Sequence, residues 1–409
     1  MSIILNKKKL ATNPLREAAL DILEAGLLAI DTKKILKEKI GFEDGMLTIK
    51  SLSHLEIKPG SSVDINLKNF NRLYFIGIGK CALDGAKALE EILGNFLTEG
   101  IVIDVRDKKE AQNLKKIKYF QGDHPLPSKR NIEATKKVLG MVENLTEKDL
   151  IITLISGGGS ALFELPVPGV PLDTLIAKTK ELTAQGADIY ELNKIRKELS
   201  QVKGGKFAQL CNRTKIISLI FSDVLGNDLS VIASGPTVLE EKDGRIQNIL
   251  LLSNHDALIA MKNKAMELGF YTEIKTEKLS GIASEVGKKL AMERLDSKSC
   301  LLFGGETTVE IRGEGQGGRN QEMALSALLF IQPDTVLLCA SSDGCDNTDF
   351  AGALVDRELF EKSKKENLSI AEFLAQNNSY NFFKEISDGG ILTEKLGSNV
   401  SDLVIMLSK

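Results

Sequence analysis

Cations placed where a strand turns into a helix are the residues with the clearest chemistry in this chain. Lys80 closes Gly77-Ile78-Gly79-Lys80 after the apolar run Arg72 to Ile78, and Ala82, Leu83, Ala86, Leu89 and Ile92 follow at helical spacing. Arg319 stands at the end of the glycine-rich stretch Gly313 to Gly318, ahead of helical spacing at Met323, Leu325, Leu328 and Leu329. A helix N-terminus carries partial positive charge, and glycines before it let backbone N–H groups approach a ligand, so both turns suit a bound anion, which we expect to be phosphate; the alternative for Lys80 is a solvated surface lysine. Gly157, Gly158, Gly159 and Ser160 end a third apolar run, Lys148 to Ile155, and can form a backbone nest for an anion or simply a tight turn. Between Ala184 and Leu210 a helical pattern carries Asn193, Arg196, Lys197, Ser200 and Lys203 at turn spacing, a basic face that either binds an acid or is a solvated stripe. Asp223 ends the run Lys215 to Phe221, where a carboxylate could hold Mg²⁺, accept a hydroxyl proton, or cap its own turn.

Other motifs are narrower than they look. Gly313, Gly315 and Gly318 satisfy G-x-G-x-x-G, with an acid at Asp343 after the run Val336 to Ala340, which outlines a dinucleotide fingerprint and a rival reading as an NAD(P)H-dependent hydroxypyruvate reductase. Arg319 and Glu322 crowd that helix start, however, and Asp343 opens a polyacidic loop through Asp346 and Asp349, for which a Mg²⁺-nucleotide site and a polar turn are the two readings. Neither Lys80 nor Lys206 completes a P-loop. Ser160 lacks the glycine of a nucleophile elbow, since Leu162 stands there, and only His54, His124 and His255 exist to serve as base, which argues against a serine hydrolase.

The elements that must position these residues alternate in α/β fashion. Asn13 and Pro14 open a first helix with an apolar face of Leu15, Ala18, Ala19, Ile22 and Leu23. Met46 to Leu67 reads as a short β stretch, and Gly100 to Val105 as a further strand. Glu240 to Arg245 reads as a linker; beyond it a helix from Asn254, strands at Tyr271 to Ile274 and Leu301 to Gly304, a helix from Ile282 to Met292 and a strand at Thr307 to Ile311 start a second unit. With 409 residues the chain should form two or three domains, which we place at 1–245 and 246–409. Lys and Arg total 53 against 56 for Asp and Glu, a net charge of -3, so no overall field recruits nucleic acid or anionic membrane. No apolar run reaches spanning length and the five scattered cysteines suit packing as reduced thiols, which together point to the cytoplasm.

The runs ISGGGSALFELP (Ile155 to Pro166), GADIYELNKIRKELSQVKGGKFA (Gly186 to Ala208), FSDVLGNDLSVIASGPT (Phe221 to Thr237) and GGETTV with GGRNQEMAL (from Gly304) resemble the glycerate 2-kinase family, whose C-terminal domain is called MOFRL. The resemblance implies a large Rossmann-like three-layer α/β domain and a smaller MOFRL α/β domain, about 300–405, across a cleft. It implies a phosphotransferase that uses ATP and Mg²⁺ to convert D-glycerate to a phosphoglycerate, usually 2-phosphoglycerate, and it is compatible with a homodimer. By the same resemblance Lys80, Asp223 and Arg319 are the catalytic residues. From the chemistry of phosphoryl transfer we expect Gly157, Gly158, Gly159, Ser160, Asn193, Arg196, Gly317, Gly318 and Asn320 to bind substrate or nucleotide, and Asp223, Asp343 and Asp346 to be the Mg²⁺ ligands. The chain departs from the family in three places: Ser341 and Asn347 stand where glycines of GTDG-x-DG are common, Thr393 to Asp402 lacks the Gly-Pro turn of TGPTGTNV-x-D, and Glu198 stands where histidine is common. These departures bear on substrate identity more than on phosphoryl transfer, and the altered C-terminal loops motivate a rival reading as a hydroxy-acid sensor without catalysis.

Overall fold

A computed structural model describes residues 2–50, 62–185, 189–394 and 396–409. The chain divides into two units, Thr32–Ser253 and a second made of Met1–Asp31 with Asn254–Lys409.

In the first unit, β1 (Ile40–Glu43), β2 (Met46–Lys50) and β3 (Ser62–Asn66) form a small antiparallel sheet in that order. Residues 51–61 of the expected β stretch lie outside the described residues, as do Gly186 to Asp188 and Lys395. The main sheet is built from apolar runs that are buried almost throughout, which parallel strands covered on both faces require. It comprises β4 (Arg72–Ile78), β5 (Leu97–Asp104), β6 (Ile117–Gln121), β7 (Asp149–Ile155), β8 (Lys215–Phe221) and β9 (Ile246–Leu252), all parallel, in the order β6-β5-β4-β7-β8-β9. Numbered within the sheet this is 3-2-1-4-5-6, the doubly wound Rossmann order, with its reversal between β4 and β7. The bounds of β4 and β8 are those the apolar runs mark. The strand β6 and the helix Lys129–Val142 behind it are not legible from the sequence, because β6 is half-exposed and mixed in polarity.

The expected boundary at 245/246 is corrected by β9, which pairs in parallel with β8 and completes the first sheet. It is corrected again by the first helix. Pro14–Ala29 is capped as expected, with Asn13 Oδ1 accepting from the Leu15 and Arg16 amides at 3.1 and 3.0 Å. Its apolar face packs on the helix Asn254–Glu267, so tightly that a β-carbon on Gly26 would fall 2.6 Å from Met261 Cγ. Arg16, 1% exposed, forms a two-point pair with Asp356 at 2.6 and 2.7 Å.

The second unit carries β10 (Tyr271–Leu279), β11 (Ser299–Gly305), β12 (Thr335–Ser341), β13 (Gly352–Asp356), β14 (Gly390–Ile391) and β15 (Asp402–Ser408), ordered β10-β11-β15-β12-β13-β14. Only β10 and β11 run parallel; the final strand is antiparallel to both neighbours at the sheet's centre. The helix Arg319–Leu328 is buried on every side from Asn320 onward and meets the helix Ala283–Ala291 where Gly287 leaves room for the Met323 carbonyl. Thr307 to Ile311 is not a strand: apart from a bridge of Thr308 to Ile282, residues 306–318 form a loop. Four cysteines are buried and all five are free thiols, in keeping with packing roles. Among the described residues no helix is long and apolar enough to cross a membrane.

Candidate active site

The register of the first unit's sheet brings three expected residues together. Ile78 pairs with Ile155 and Ile155 with Ile220, so Gly79-Lys80, Ser156-Gly157 and Ser222-Asp223 leave adjacent strands at one carboxyl edge, at the reversal of strand order. Ligands sit at that position in doubly wound sheets. The turns interlock. Lys80 N donates to Gly157 O at 3.0 Å, and Gly79, at φ +125°, leaves space that the Ser156 hydroxyl fills. A β-carbon on Gly157 would lie 2.0 Å from Asp223 Oδ2, and one on Gly158 would lie 3.1 Å from Lys80 Cγ and 3.2 Å from His124 Cδ2. Lys80, Asp223 and His124 thus surround a turn whose glycines permit the approach. Within the described residues, the amides of Gly157, Gly158 and Ser160 have no acceptor. Amides left open in this way are what an anion nest requires.

The dipole argument for Lys80 needs correction. The helix after it, Ala82–Leu93, already has an internal anion at its start, because the buried Asp104 carboxylate accepts from the Leu83 amide at 2.9 Å. The role left to Lys80 is that of a side-chain cation beside the glycine turn.

The basic stripe is also divided by the structure. Its helix ends at Leu199 rather than at Gly204, and Ser200 and Lys203 beyond it are fully buried. Lys203 Nζ donates to Ser160 O at 2.6 Å and Phe163 O at 2.9 Å and pairs with Glu164 at 2.9 Å, tying down the short helix Gly159–Leu162. Asn193, 2% exposed, accepts a hydrogen bond from the Ser234 hydroxyl at 2.6 Å, and Ser234 Oγ lies 3.0 Å from Ser160 Oγ. Arg196, half-buried, makes no hydrogen bond or ion pair with the described residues; burial pulls its pKa down while Glu164 pulls the other way. Ser234 and Glu164 are site neighbours that spacing alone did not single out.

In the second unit the anion site expected at Arg319 is filled from within. Arg319 Nε and Nη2 donate to Asp402 at 2.6 and 3.0 Å, and Nη1 lies 2.8 Å from Glu306. Burial opposes its charge, but Asp402 and then Glu306 outweigh that and hold the guanidinium strongly ionised. The helix's first amides are taken by Asp346, which accepts from Asn320 N at 3.3 Å and Gln321 N at 2.9 Å. Asn320 Nδ2 bridges Asp346 and Asp402, and Gln321 Nε2 also reaches Asp346. Gly318 is needed for this closure, since a β-carbon there would overlap Asp346, and one on Gly317 would meet Ser379 Oγ at 2.1 Å. Gly317, Gly318 and Asn320 are therefore joined to protein groups rather than laid open. The dinucleotide fingerprint closes in the same way: Asn377 Oδ1 accepts from the Arg312 and Gly313 amides, Gln376 O from Gly315 and Asn378 Oδ1 from Gln316.

The expected Mg²⁺ role of Asp343 and Asp346 fares likewise. Asp343 accepts from Ser341 Oγ and Cys345 N within its own loop, and Asp346 accepts from the first amides of the helix Arg319–Leu328, so both carboxylates are engaged by protein donors. Asn347, in place of the family's glycine, takes φ +59°, a left-handed conformation that asparagine tolerates well. Asp402 is the partner that the reading of this region missed, although the departing motif Thr393 to Asp402 ends on it.

Asp346 gives this loop a pH dependence. Burial, opposed by the Gln321 amide and reinforced by Asp402, raises its pKa from 3.8 to about 6. A raised folded-state pKa contributes stability that is full below the unfolded value and lost as pH rises through the folded one, here between pH 4 and 6, with a magnitude of about 3 kcal/mol. The melting temperature of the wild type relative to Asp346→Asn should accordingly fall from pH 4 to pH 7; parallel curves would count against the assignment.

Comparison with known proteins completes the picture. A family model described as Domain of unknown function (DUF4147) matches residues 18–265, and one described as MOFRL family matches residues 299–402. A D-glycerate 2-kinase of Thermotoga maritima is 36% identical, the alignment covering 83% of this chain and 91% of that protein. A glycerate 2-kinase of Pyrococcus horikoshii is 34% identical, covering 95% and 98%. The crystal structure of a Thermotoga maritima glycerate kinase matches with a TM-score of 0.80 at 31% identity, over 96% of this chain and 99% of that one. Fold and comparisons define a kinase with a doubly wound first unit and a MOFRL region. The chain belongs to the glycerate 2-kinase family.

Proposed function

We propose that this kinase transfers the γ-phosphoryl group of ATP to D-glycerate, giving 2-phosphoglycerate, and that it works in the cytoplasm. The observation that carries the reading is the convergence of Lys80 and Asp223 on the Gly157-Gly158 turn at the reversal of strand order. Phosphoryl transfer passes through a loose transition state whose charge lies on the γ-oxygens and the bridging oxygen, so fixed donors and cations supply most of the catalysis. In this reading the open amides of Gly157, Gly158 and Ser160 cradle phosphate oxygens, and Lys80 reaches the transferring group. Asp223 is placed to take the acceptor's hydroxyl proton or to give Mg²⁺ one carboxylate. Mg²⁺ is commonly held by one or two carboxylates plus substrate phosphates, so a single protein carboxylate suits it, and the ion would neutralise charge on the nucleotide. Asn193 and Arg196 orient the small acid. Closure of the glycine loop on Gln376, Asn377 and Asn378 removes the motif on which hydride transfer rested.

The direct test is a ³¹P NMR time course with ATP, Mg²⁺ and D-glycerate. A phosphomonoester resonance at the 2-position is expected. A 3-position product would correct the regiochemistry, and unchanged ATP would overturn the assignment of substrate.

A further inference from the structure

Three buried or half-buried charges lie together beside the glycine turn: Lys203 and Glu164 are paired at 2.9 Å, and Glu164 acts electrostatically on Arg196. Two cations and one carboxylate leave the group one unit positive where solvent is sparse. An unpaired charge in such a place is costly unless an anion completes it. One turn before Arg196, on the same helix face, Asn193 presents the complementary feature. Its Oδ1 is engaged by the Ser234 hydroxyl, which leaves Nδ2 buried with no acceptor among the described residues. Ser234 is held for this task by an uncommon backbone: Ala233, Ser234 and Gly235 run at φ +51°, +61° and +60° in succession. Left-handed non-glycine residues persist only where the surroundings enforce them, and they gather at ligand sites. Since the Ser234 proton goes to Asn193, Ser160 donates to Ser234, which connects this arrangement to the turn bearing the open amides.

From this geometry we infer that Asn193 Nδ2 and the Arg196 guanidinium form a carboxylate subsite, with Ser234 as the positioning residue that fixes the Asn193 amide to donate. The acceptor's carboxylate then belongs to the helix Ile189–Leu199, and the Gly157 to Ser160 amides are left for nucleotide phosphate. The subsite selects for a monocarboxylate: a neutral analogue wastes the Arg196 charge, and a second carboxylate exceeds the single positive unit available. This inference rests on the reading of the acceptor as a small hydroxy acid.

Asn193→Asp tests it, because the carboxylate can still accept from Ser234 but offers no N–H and repels the substrate. The KM for D-glycerate should rise about 100-fold or more while the KM for ATP stays within twofold, and the kcat/KM ratio of glyceramide to glycerate should rise at least about tenfold. Ser234→Ala and Ser234→Gly should each raise the glycerate KM about tenfold with kcat within threefold; equal effects of the two would trace the loss to the hydroxyl rather than to backbone strain. An unchanged glycerate KM in Asn193→Asp, or a fall in kcat alone, overturns the subsite. Isothermal titration of ATP-free protein separates this from the assigned reaction. Wild type that binds D-glycerate or D-lactate, with binding lost in Asn193→Asp, supports the subsite even if no phosphoryl transfer occurs. Equal binding by both overturns it whatever the activity.

Discussion

Lys80→Ala is expected to lower kcat for glycerate phosphorylation by about 100- to 1,000-fold with little change in melting temperature. The magnitude is that of removing one preorganised electrostatic contact to a transition state, about 3–4 kcal/mol. The geometry explains why so much rests on one side chain. The stem of Lys80 crosses Gly158 and its backbone amide is fixed on Gly157 O, beside a turn whose own amides have no acceptor among the described residues. The helix start behind it contributes little extra field, because Asp104 already occupies it. The fold of the turn should persist, since the hydrogen bond that Lys80 gives to Gly157 O comes from the backbone and is kept in the variant. Steady-state assays of ADP release would measure the effect; turnover within threefold of wild type would remove Lys80 from the reaction.

Arg319→Ala is expected to act on stability, by about 3–5 kcal/mol. That is the usual cost of deleting one partner of a buried pair and leaving the other charge uncompensated. Asp402 is 1% exposed and lies in register with Gly305 on one side and Ser341 on the other, at the end of the central strand, so it cannot turn outward to water. Without Arg319 its carboxylate keeps, among the described residues, only the Asn320 side-chain amide at 2.8 Å, with the Asp346 carboxylate opposing its charge. The double variant Arg319→Ala with Asp402→Asn removes the stranded charge and should recover roughly half of the loss. Guanidinium denaturation midpoints of the two variants would show this. A cost below about 1 kcal/mol for the single change would return Arg319 to the role of a cation held for the substrate.

These two residues also show how far the sequence is readable. Both stand where apolar periodicity and glycine put them, at strand-to-helix turns, and chemistry by residue type assigns both to an anion. The assignment is revised for Arg319 because partners drawn from far along the chain reach its guanidinium and its helix start. Asp402 lies 83 residues beyond Arg319, and Asp346 reaches the same helix start from the acidic loop. Periodicity reports a residue's own element and face, but it holds no information about which distant carboxylate arrives there. The same limit explains Thr307 to Ile311, where β-branched alternation was real but no strand came to pair along it.

By itself the sequence determined the α/β class, the bounds of β4 and β8, the Asn13 cap and the turns carrying Lys80, Gly157 to Ser160 and Asp223. Each depends on local propensity, burial period or backbone freedom, which neighbours in the chain specify. The tertiary structure alone decided that β9 completes the first sheet, that the opening helix joins the C-terminal unit, and that β15 lies central with Asp402 beside Arg319. It alone placed Ser234 against Asn193 and left Arg196 uncommitted. Those outcomes follow from strand order, register and long-range pairing, where the free-energy differences lie between residues that the chain separates.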